Sequence, residues 1–367
     1  MPNGLRAPPL GRVARFQISA NATPVRRAFR DFLLEVPAGR PVFVMSHNDA
    51  DGLAAAGIFS RALEASGRPV RARILKRGET PWSEAVKSEI AAGEPGGLIV
   101  ADLGTRSGVI VPDLPTLIVD HHVPTGTPES ATLISGYGYD PAPTSSLLAW
   151  WCASDLVVAS DLLWLAALGL IGDMAEGAGF PEMGEARARY GITALRKATS
   201  LVNAPRRAAS GDPGPALALL MSADGPKEIT AGSGPEAAAL RAAKDEVNVA
   251  LEAGRRIGPK LRGEVALIRF DTPCQVHPLL AQTWRGRLKD KIVIAANAGY
   301  RPGWVHFAAR TAQDTNLVEF LARNAPPGAD ENYGSGHAKA SGGALGPQGW
   351  NTFIRQLGFG PEEQVPE

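Results

Sequence analysis

The chain has few of the features that mark secreted, disulfide-rich or membrane-anchored proteins. Its 367 residues include 2 cysteines, Cys152 and Cys274, which are too few for a disulfide framework and too far apart for a CxxC metal or redox motif. The first residues lack the apolar core of a secretory signal peptide. We therefore expect a reduced protein in the cytoplasm.

Long apolar runs and a strong net charge are also missing. The most apolar region, residues 145–172, is interrupted by Asp155 and Asp161, and its last clean run is far shorter than the roughly 20 residues of a membrane span. The formal net charge is +1, so the field of the whole protein does not attract nucleic acid. Basic runs usually form solvated surfaces, although each can contact a polyanion locally. Two such runs contain Arg6, Arg12, Arg15, Arg26, Arg27 and Arg30, and Arg285, Arg287, Lys289 and Lys291.

Short apolar segments alternate with amphipathic segments through the first half of the chain. This pattern is typical of a doubly wound α/β domain built on a parallel sheet. The strand segments are apolar on both faces, as expected when helices cover each side of the sheet. The predicted strands span residues 41–46, 70–75, 97–103 and 116–120, and the predicted helices span residues 53–66 and 82–92.

The chain as a whole is predicted to consist of four segments. Residues 1–40 form a leader and a helix, and residues 41–200 form the larger α/β domain, which is helical from Thr144 onward. Residues 201–258 form a linker that contains one long charged helix. Residues 259–360 form a second, smaller α/β domain.

Two details are predicted at the ends of the chain. Thr23 is the expected N-cap of the first helix, with Pro24 at the first helical position. The end after Gly360 is acidic and contains proline, so we expect it to fray.

Side chains of the types that bind metals occur at four places, each directly after an apolar strand or helix. In an open parallel sheet, ligands bind beyond the carboxyl ends of the strands. Several carboxylates at one edge would raise one another's pKa, and a divalent cation removes that cost. Mixed carboxylate and imidazole ligands suit Mn²⁺ or Mg²⁺. The four places are Ser46-His47-Asn48-Asp49-Ala50-Asp51-Gly52, Asp102, Asp120-His121-His122, and Asp173.

Each of these four places has an ordinary explanation when it is taken alone. An aspartate after a strand is most often a helix N-cap or a turn residue, and Asp49 and Asp51 can simply form a turn around Gly52. A single histidine is most often a hydrogen-bonded polar residue. The joint order, with HxDxDG, a strand-end aspartate, DHH and a later Gly-Asp, favours a metal site.

With these motifs in this order, the chain resembles the DHH phosphoesterase family. The resemblance implies a DHH catalytic domain at residues 41–200, joined by a helical linker to a smaller α/β substrate-binding domain. It also implies that two divalent cations clamp the attacking and leaving oxygens of an in-line displacement at phosphorus. Mn²⁺ is the expected metal, with Mg²⁺ as the alternative. The implied ligands are His47 and Asp49 for one ion, Asp51, His121 and Asp173 for the other, and Asp102 as the bridge between them.

Two further residues are given catalytic roles by the resemblance. Asp120 would orient a neighbouring imidazole, as carboxylates near metal sites commonly do. His122 would contact a phosphate oxygen or help to stabilise the transition state.

The second half of the chain continues the resemblance. Gly334-Ser335-Gly336-His337, with more glycines after it, looks like the glycine-rich signature of the DHH-associated C-terminal domain. Arg310 matches the arginine that precedes that signature. A segment with Asn203 and Arg207 is similar to the linker of RecJ-like single-strand exonucleases. Without the resemblance, the glycine-rich segment would be explained as a flexible loop. The linker segment would be explained as a hinge. The implied substrate-binding residues are Arg310, Gly334, Ser335, Gly336, His337, Asn203 and Arg207.

Several departures from the RecJ pattern weigh against processive degradation of long DNA. The linker is two residues longer than usual, and Pro205 and Arg206 replace small residues. RecJ tends to have aspartate where His47 stands. The chain also has no room for the oligonucleotide-binding-fold domain of full RecJ.

The predicted function is a RecJ-like exonuclease on single-stranded DNA or short oligonucleotides, acting as a monomer or homodimer without a membrane. The alternative is a phosphodiesterase or phosphatase for small nucleotides, such as dinucleotides, cyclic dinucleotides or phosphoadenosine phosphate. The chain length, the net charge and His47 favour that alternative. A pyrophosphatase lacks the Gly-Ser-Gly-His signature, and a catalytically idle scaffold conflicts with the complete set of ligands.

Overall fold

The structure, a computed structural model, describes residues 22–76, 78–157, 159–330 and 333–367. It contains two compact units. The first comprises the described residues up to Asn203 together with residues 211–241, and the second comprises residues 204–210 and 242–367. The predicted division into four segments stays a prediction.

A five-stranded parallel sheet organises the first unit, with the strand order β2-β1-β3-β4-β5. Successive side chains of a strand point to opposite faces, and both faces of this sheet are covered. In β1, Val42 and Val44 lie in the core beneath α2, α4 and α5, whereas Phe43 and Met45 lie in a second core with α3. The predicted doubly wound α/β class is therefore confirmed. The strands are β1 Val42–Ser46, β2 Val70–Ile74, β3 Gly97–Ala101, β4 Thr116–Asp120 and β5 Ala131–Ser135.

Helix α2 is the central helix of this unit. It is rich in alanine and glycine, and small side chains allow β1, α4, α5 and α8 to approach it closely, so most of the helix is buried. The helices of the first unit are α1 Thr23–Glu35, α2 Ala50–Ala65, α3 Glu84–Ala92, α4 Ser145–Ala153, α5 Ala159–Gly172, α6 Pro181–Tyr190, α7 Ile192–Val202, α8 Gly214–Ser222 and α9 Pro226–Ala231. Helix α10, Pro235–Arg255, begins in the first unit and continues into the second.

The second unit contains a six-stranded mixed sheet with the order β10-β11-β9-β8-β7-β6. Strands β7 and β8 are parallel, and the other neighbours are antiparallel. Helices α12 and α13 cover one face, and α11 and part of α10 cover the other. The strands are β6 Lys260–Arg262, β7 Val265–Phe270, β8 Ile292–Arg301, β9 Trp304–Thr311, β10 Ser335–His337 and β11 Ala340–Leu345, and the helices are α11 His277–Arg287, α12 Leu317–Arg323 and α13 Pro347–Gln356.

The structure corrects three details of the sequence-based prediction. Thr23 is the first residue of α1 rather than its N-cap, which is Ala22. Strand β5 and helix α9 of the first unit were not predicted, and neither were strands β6, β10 and β11 and helices α11, α12 and α13 of the second. The acidic end does not fray: a short 3₁₀ helix spans Pro361–Glu363, and the indole of Trp350 donates a hydrogen bond to the carbonyl of Glu363. Among the described residues, no helix combines the length and the apolar character needed to cross a membrane.

The C-terminal tail offers a test of this packing. The buried Asn351 side chain donates to the carbonyl of Val365 and accepts from its amide, both at 2.9 Å. We expect Asn351→Ala to destabilise the second unit by about 1–3 kcal/mol, since two backbone groups lose their partner. The exposed Gln356 on the same helix is the control, and Gln356→Ala should change stability by less than about 0.5 kcal/mol. Hydrogen exchange at Val365 and urea unfolding measure the effect. If Asn351→Ala and Gln356→Ala changed the stability equally, the expected role of Asn351 in holding the tail would be contradicted.

Candidate metal centre

Three neighbouring strands deliver the predicted ligands to one edge of the parallel sheet. β1 ends just before His47, β3 ends just before Asp102, and β4 ends with Asp120, directly before His121. Because β1, β3 and β4 are adjacent and parallel, their carboxyl ends meet. The fourth contribution, Asp173, follows the last residue of α5.

The first group of possible metal ligands consists of His47, Asp49 and Asp102. The Nδ1 atom of His47 lies 3.0 Å from Oδ2 of Asp49 and 3.5 Å from Oδ2 of Asp102. Asp49 is also the N-cap of α2, and its side chain accepts a hydrogen bond from the amide of Gly52. Asp49 is therefore both the N-cap of α2 and a possible metal ligand.

The second group consists of Asp51, His121 and Asp173. The Nε2 atom of His121 lies 3.1 Å from Oδ2 of Asp173, 3.4 Å from Oδ1 of Asp102 and 3.9 Å from Oδ2 of Asp51. A third possible group consists of Asp102, His121 and His122. His122 is half exposed, and its Nδ1 atom lies 3.2 Å from Oδ1 of Asp120.

The N-terminus of α4 holds the buried carboxylates, which the sequence alone did not indicate. The amides of Ser145 and Ser146 donate to the two oxygens of Asp51, at 2.7 and 3.0 Å. The Ser145 hydroxyl donates to Oδ1 of Asp102 at 3.0 Å. A helix N-terminus favours negative charge, so α4 stabilises the ionised form of Asp51. The sequence feature that indicated the start of α4 was Thr144, which was predicted to begin the helical region and is the N-cap of α4.

Glycines permit the close approach of these elements. A Cβ atom on Gly169 of α5 would lie 2.2 Å from Oδ1 of Asp51, and one on Gly52 would lie 2.5 Å from the carbonyl oxygen of His47. A larger residue at either position would displace a candidate ligand. Asp102 itself has a positive φ of 63°, a conformation that aspartate adopts more often than most residues other than glycine, and it lies directly after β3.

Burial and mutual repulsion strongly perturb the acidic side chains. Burial, with the charges of Asp102 and Asp173, raises the pKa of Asp51 well above its usual value. Burial and the charges of nearby carboxylates also raise the pKa of Asp173, although its contact with His121 opposes the change. Burial acts to raise the pKa of Asp120, but hydrogen bonds from His122 and other donors keep it below the ordinary value.

The two partly buried histidines of the ligand groups have raised pKa values as well. Burial lowers the pKa of His47, but Asp49 and Asp102 outweigh it and raise the pKa to about 10. Burial likewise lowers the pKa of His121, and its carboxylate neighbours raise it to about 11. Protons on these rings therefore compensate the negative charge of the cluster at neutral pH.

These observations fit divalent cations. Among the described residues, Asp51, Asp102 and Asp173 form no ion pair with a lysine or arginine, and the positively charged groups beside them are imidazoles. The Nε2 atom of His121 is buried and makes no hydrogen bond of acceptable geometry, although it faces three carboxylates. A donor set of carboxylate oxygens and imidazole nitrogens suits Mn²⁺ or Mg²⁺.

The linker residue Asn203 lies beside this centre. Its amide oxygen accepts a hydrogen bond from the amide of Ala50, the first residue of α2. It thus fixes the segment that carries Asp49 and Asp51, a role that the sequence did not suggest. Its contact with substrate stays a prediction.

The other predicted substrate residues lie in the second unit. Arg207 donates to the carbonyl of Gln275 at 3.4 Å. Arg310 is half-buried on β9, where it donates to the carbonyls of Ala309 and Ser341. Gly334, Ser335, Gly336 and His337 form a turn and strand β10, in which His337 is exposed and both glycines have positive φ.

Several solved structures are similar to this one. An exonuclease RecJ bound to manganese is matched with a TM-score of 0.64 and 19% identity, over 92% of this chain and 95% of the other. RecJ from Thermus thermophilus in complex with Mn²⁺ gives a TM-score of 0.67 and 17% identity, over 94% of this chain and 56% of the other. This chain therefore spans little more than half the length of the Thermus protein. The DHH domain of a member of a family of ribosomal proteins gives a TM-score of 0.64 and 14% identity, over 92% of this chain and 89% of the other.

The comparisons establish the fold. No protein-family model matches the chain, and no curated protein matches it. The chain has the RecJ-like fold of DHH-domain structures, as the sequence motifs implied.

The α4 contacts generate a testable prediction. Ser145→Ala should weaken binding of Mn²⁺ by roughly tenfold, because the hydroxyl that fixes Asp102 is lost. Ser145→Thr keeps a hydroxyl and should restore most of the affinity. Ser154→Ala, a matched change just after the other end of α4, is the control. Calorimetric titration with Mn²⁺ measures all three variants, and an unchanged affinity in Ser145→Ala would show that the hydroxyl has no role in positioning Asp102.

The raised histidine pKa values generate a second prediction. A metal ion binds neutral imidazole, so binding at neutral pH must release protons from His47 and His121. With folded-state pKa values of about 10 and about 11, these protons are bound throughout the neutral range, and metal affinity should increase as the pH rises. Calorimetry in buffers of different ionisation enthalpy should show release of roughly one proton or more per ion. A binding enthalpy that does not depend on the buffer would be the contrary result.

Proposed function

We propose that the chain is a two-metal phosphoesterase that hydrolyses phosphodiester bonds. The observation that carries the proposal is the position of Asp102. Its Oδ2 atom faces His47 of the first group at 3.5 Å, and its Oδ1 atom faces His121 of the second group at 3.4 Å. One carboxylate thus lies between two ligand groups, as a bridge between two ions requires.

When bound, two such cations would stabilise the attacking and leaving oxygens of an in-line displacement. His47 and Asp49 would hold one ion, Asp51, His121 and Asp173 the other, and Asp102 both. The solved RecJ structures contain Mn²⁺ or Mg²⁺, and we propose Mn²⁺ here because imidazoles favour a transition metal.

The residues beside the ions would orient the substrate. Asp120 is buried and contacts His122 through both the amide and the ring Nδ1 atom. This contact fixes the imidazole of His122, whose side chain is half exposed. In its protonated form, with Nδ1–H donated to Asp120, His122 would donate a hydrogen bond from Nε2 to a phosphate oxygen.

We propose single-stranded DNA or a short oligonucleotide as the substrate. The linker motif and the glycine-rich segment support this choice, and two of the similar structures are RecJ proteins. Arg310 and the exposed His337 would contact the nucleotide. The alternative is a small-nucleotide phosphodiesterase or phosphatase, which the near-zero net charge favours.

Asp102→Asn should abolish hydrolysis and leave the fold intact. Asparagine keeps the shape and tolerates the positive φ, so the change removes the bridging charge alone. Asp113 is an exposed aspartate of the same unit with a positive φ of 58°, and Asp113→Asn is the matched control that should keep full activity. Turnover is measured at saturating Mn²⁺, with circular dichroism to check folding. Activity retained in Asp102→Asn would refute the bridging role.

The same assay distinguishes the substrates. The protein is incubated with Mn²⁺ and end-labelled DNA and RNA, both as dinucleotides and as strands of about twenty nucleotides, which exceed the footprint of a typical single-strand binding module. Degradation of the long strand into a ladder would support the exonuclease. Cleavage of the dinucleotide alone would move the assignment to a small-nucleotide phosphodiesterase.

A further inference from the structure

The loops after β2 and β3 contact each other at the sheet edge that carries the candidate ligands. Trp82 follows β2, and its indole Nε1 atom donates to the carbonyl of Gly108, which follows β3. The guanidinium of Arg106, on the same β3 loop, lies over the Trp82 ring, with its carbon 5.7 Å from the ring centroid. Because β1 lies between β2 and β3, this contact joins the two loops that flank the end of β1, where His47 begins the first ligand group.

The loop after β3 begins in the candidate metal centre. Its first residue is Asp102, the proposed bridging ligand, and two residues later the amide of Gly104 donates to Oδ2 of Asp120 at 2.7 Å. Asp120 also accepts a hydrogen bond from the amide of His122 and faces its ring. One buried carboxylate therefore fixes both this loop and the histidine that would contact the phosphate, so the loop runs along the rim of the site.

Arg106 lies between two further points at which this loop is held. The carbonyl of Thr105 accepts hydrogen bonds from the amide and the hydroxyl of Thr125, at 2.9 and 3.1 Å. On the other side, a Cβ atom on Gly126 would lie 2.3 Å from the amide nitrogen of Ser107, so the two segments are in direct contact. The backbone on either side of Arg106 is thus packed against the segment that follows the DHH motif.

The exposed guanidinium of Arg106 forms no ion pair among the described residues. Arg73 of β2 differs in this respect, since it is paired with Glu79 and Glu89. Contact with an indole ring restricts an arginine side chain without consuming its charge or its five N–H donors. Arg106 is therefore a positioned cation at the rim of the metal centre whose charge is available to an anion.

We propose that Arg106 binds the phosphate next to the scissile one in a single-stranded substrate. The metal centre would hold the scissile phosphate, and Arg106 would hold the next phosphate along the strand, with Trp82 as the residue that positions the guanidinium. The inference rests on the proposed function and narrows its substrate class to strands with at least two phosphodiester linkages. A dinucleotide without terminal phosphates has one linkage and offers Arg106 no phosphate.

A dinucleotide and a trinucleotide, both without terminal phosphates, separate this contact from the metal centre. Each is hydrolysed by the full chain at saturating Mn²⁺, in the DNA or RNA form that is cleaved. Only the trinucleotide has a second phosphate, so Arg106→Gln should raise its KM by roughly tenfold, the loss expected for a charge-assisted hydrogen bond, and leave kcat unchanged. The KM of the dinucleotide should not change.

A modified substrate and a matched variant test for direct contact. A trinucleotide with a neutral methylphosphonate at the linkage that is cleaved second should raise the KM of the unaltered protein as Arg106→Gln does. The two changes together should add nothing further. Arg40 is exposed just before β1, at the opposite edge of the same sheet, and Arg40→Gln makes the same change in charge. It should leave both KM values unchanged.

The positioning role of Trp82 predicts an effect that depends on Arg106. Trp82→Leu should raise the KM of the trinucleotide alone, and by less than Arg106→Gln does, because the charge remains but is no longer oriented. Trp82→Phe keeps an aromatic face and should restore most of the loss. In the Arg106→Gln background, Trp82→Leu should have no further effect on this KM.

Several outcomes would overturn the inference. An unchanged KM for the trinucleotide in Arg106→Gln would leave this residue as a surface arginine packed on Trp82. Equal changes for the two substrates, a loss of the same size in Arg40→Gln, or hydrolysis of the dinucleotide alone would also overturn it.

Hydrolysis of neither substrate would refute the proposed function, and binding would then decide the contact by itself. With divalent ions removed by EDTA, the affinity for a labelled single strand of about eight nucleotides is measured at several salt concentrations. The slope of log K against log salt should be shallower in Arg106→Gln by about 0.7, the value for one phosphate contact on a single strand. Equal slopes in the variant and the unaltered protein would overturn the inference.

Discussion

Burial of several carboxylates at one sheet edge is the constraint on which the first unit depends. Asp51 is fully buried and Asp102 almost so, and a buried charge without partners is very costly. The amides of α4 donate to Asp51, and imidazoles surround Asp102. Gly169 leaves the space that Asp51 occupies. The positions of α4 and α5 against the sheet are thus set by the needs of two side chains as well as by apolar packing.

The regular elements could largely be predicted because their residues carry local signals. Buried parallel strands contain apolar runs such as Leu117-Ile118-Val119 in β4, and this strand was predicted with its observed bounds, Thr116–Asp120. Strand β5 has only partly buried ends and lies at the edge of the sheet, so its pattern was weak. The ordered C-terminal tail depends on Trp350 and Asn351 of the preceding helix α13, so the residues of the tail themselves carry no signal of its order.

In the candidate site, the side chains could be predicted from the sequence, whereas the contributions of the backbone could not. Candidate ligands were recognisable because aspartates and histidines at the ends of adjacent strands must meet. The amide groups that hold Asp51 could not be recognised, since almost every residue has an amide and only the fold directs those of α4 towards the site. The same limit applies to Asn203. Its motif suggested a contact with substrate, whereas in the structure its side-chain oxygen accepts a hydrogen bond from the amide of Ala50.

Net charge conceals two opposite local imbalances in this chain. The first unit concentrates carboxylates whose positively charged neighbours are histidines, and the second holds Arg285 and Arg310 near each other without a carboxylate partner among the described residues. The total of +1 sums all charged residues of the chain, so it hides both clusters. Electrostatic interactions are screened beyond about 8 Å at physiological salt, so the field near each cluster depends on its own charges more than on the total. A near-neutral composition is therefore compatible with a strong local field at the candidate metal centre.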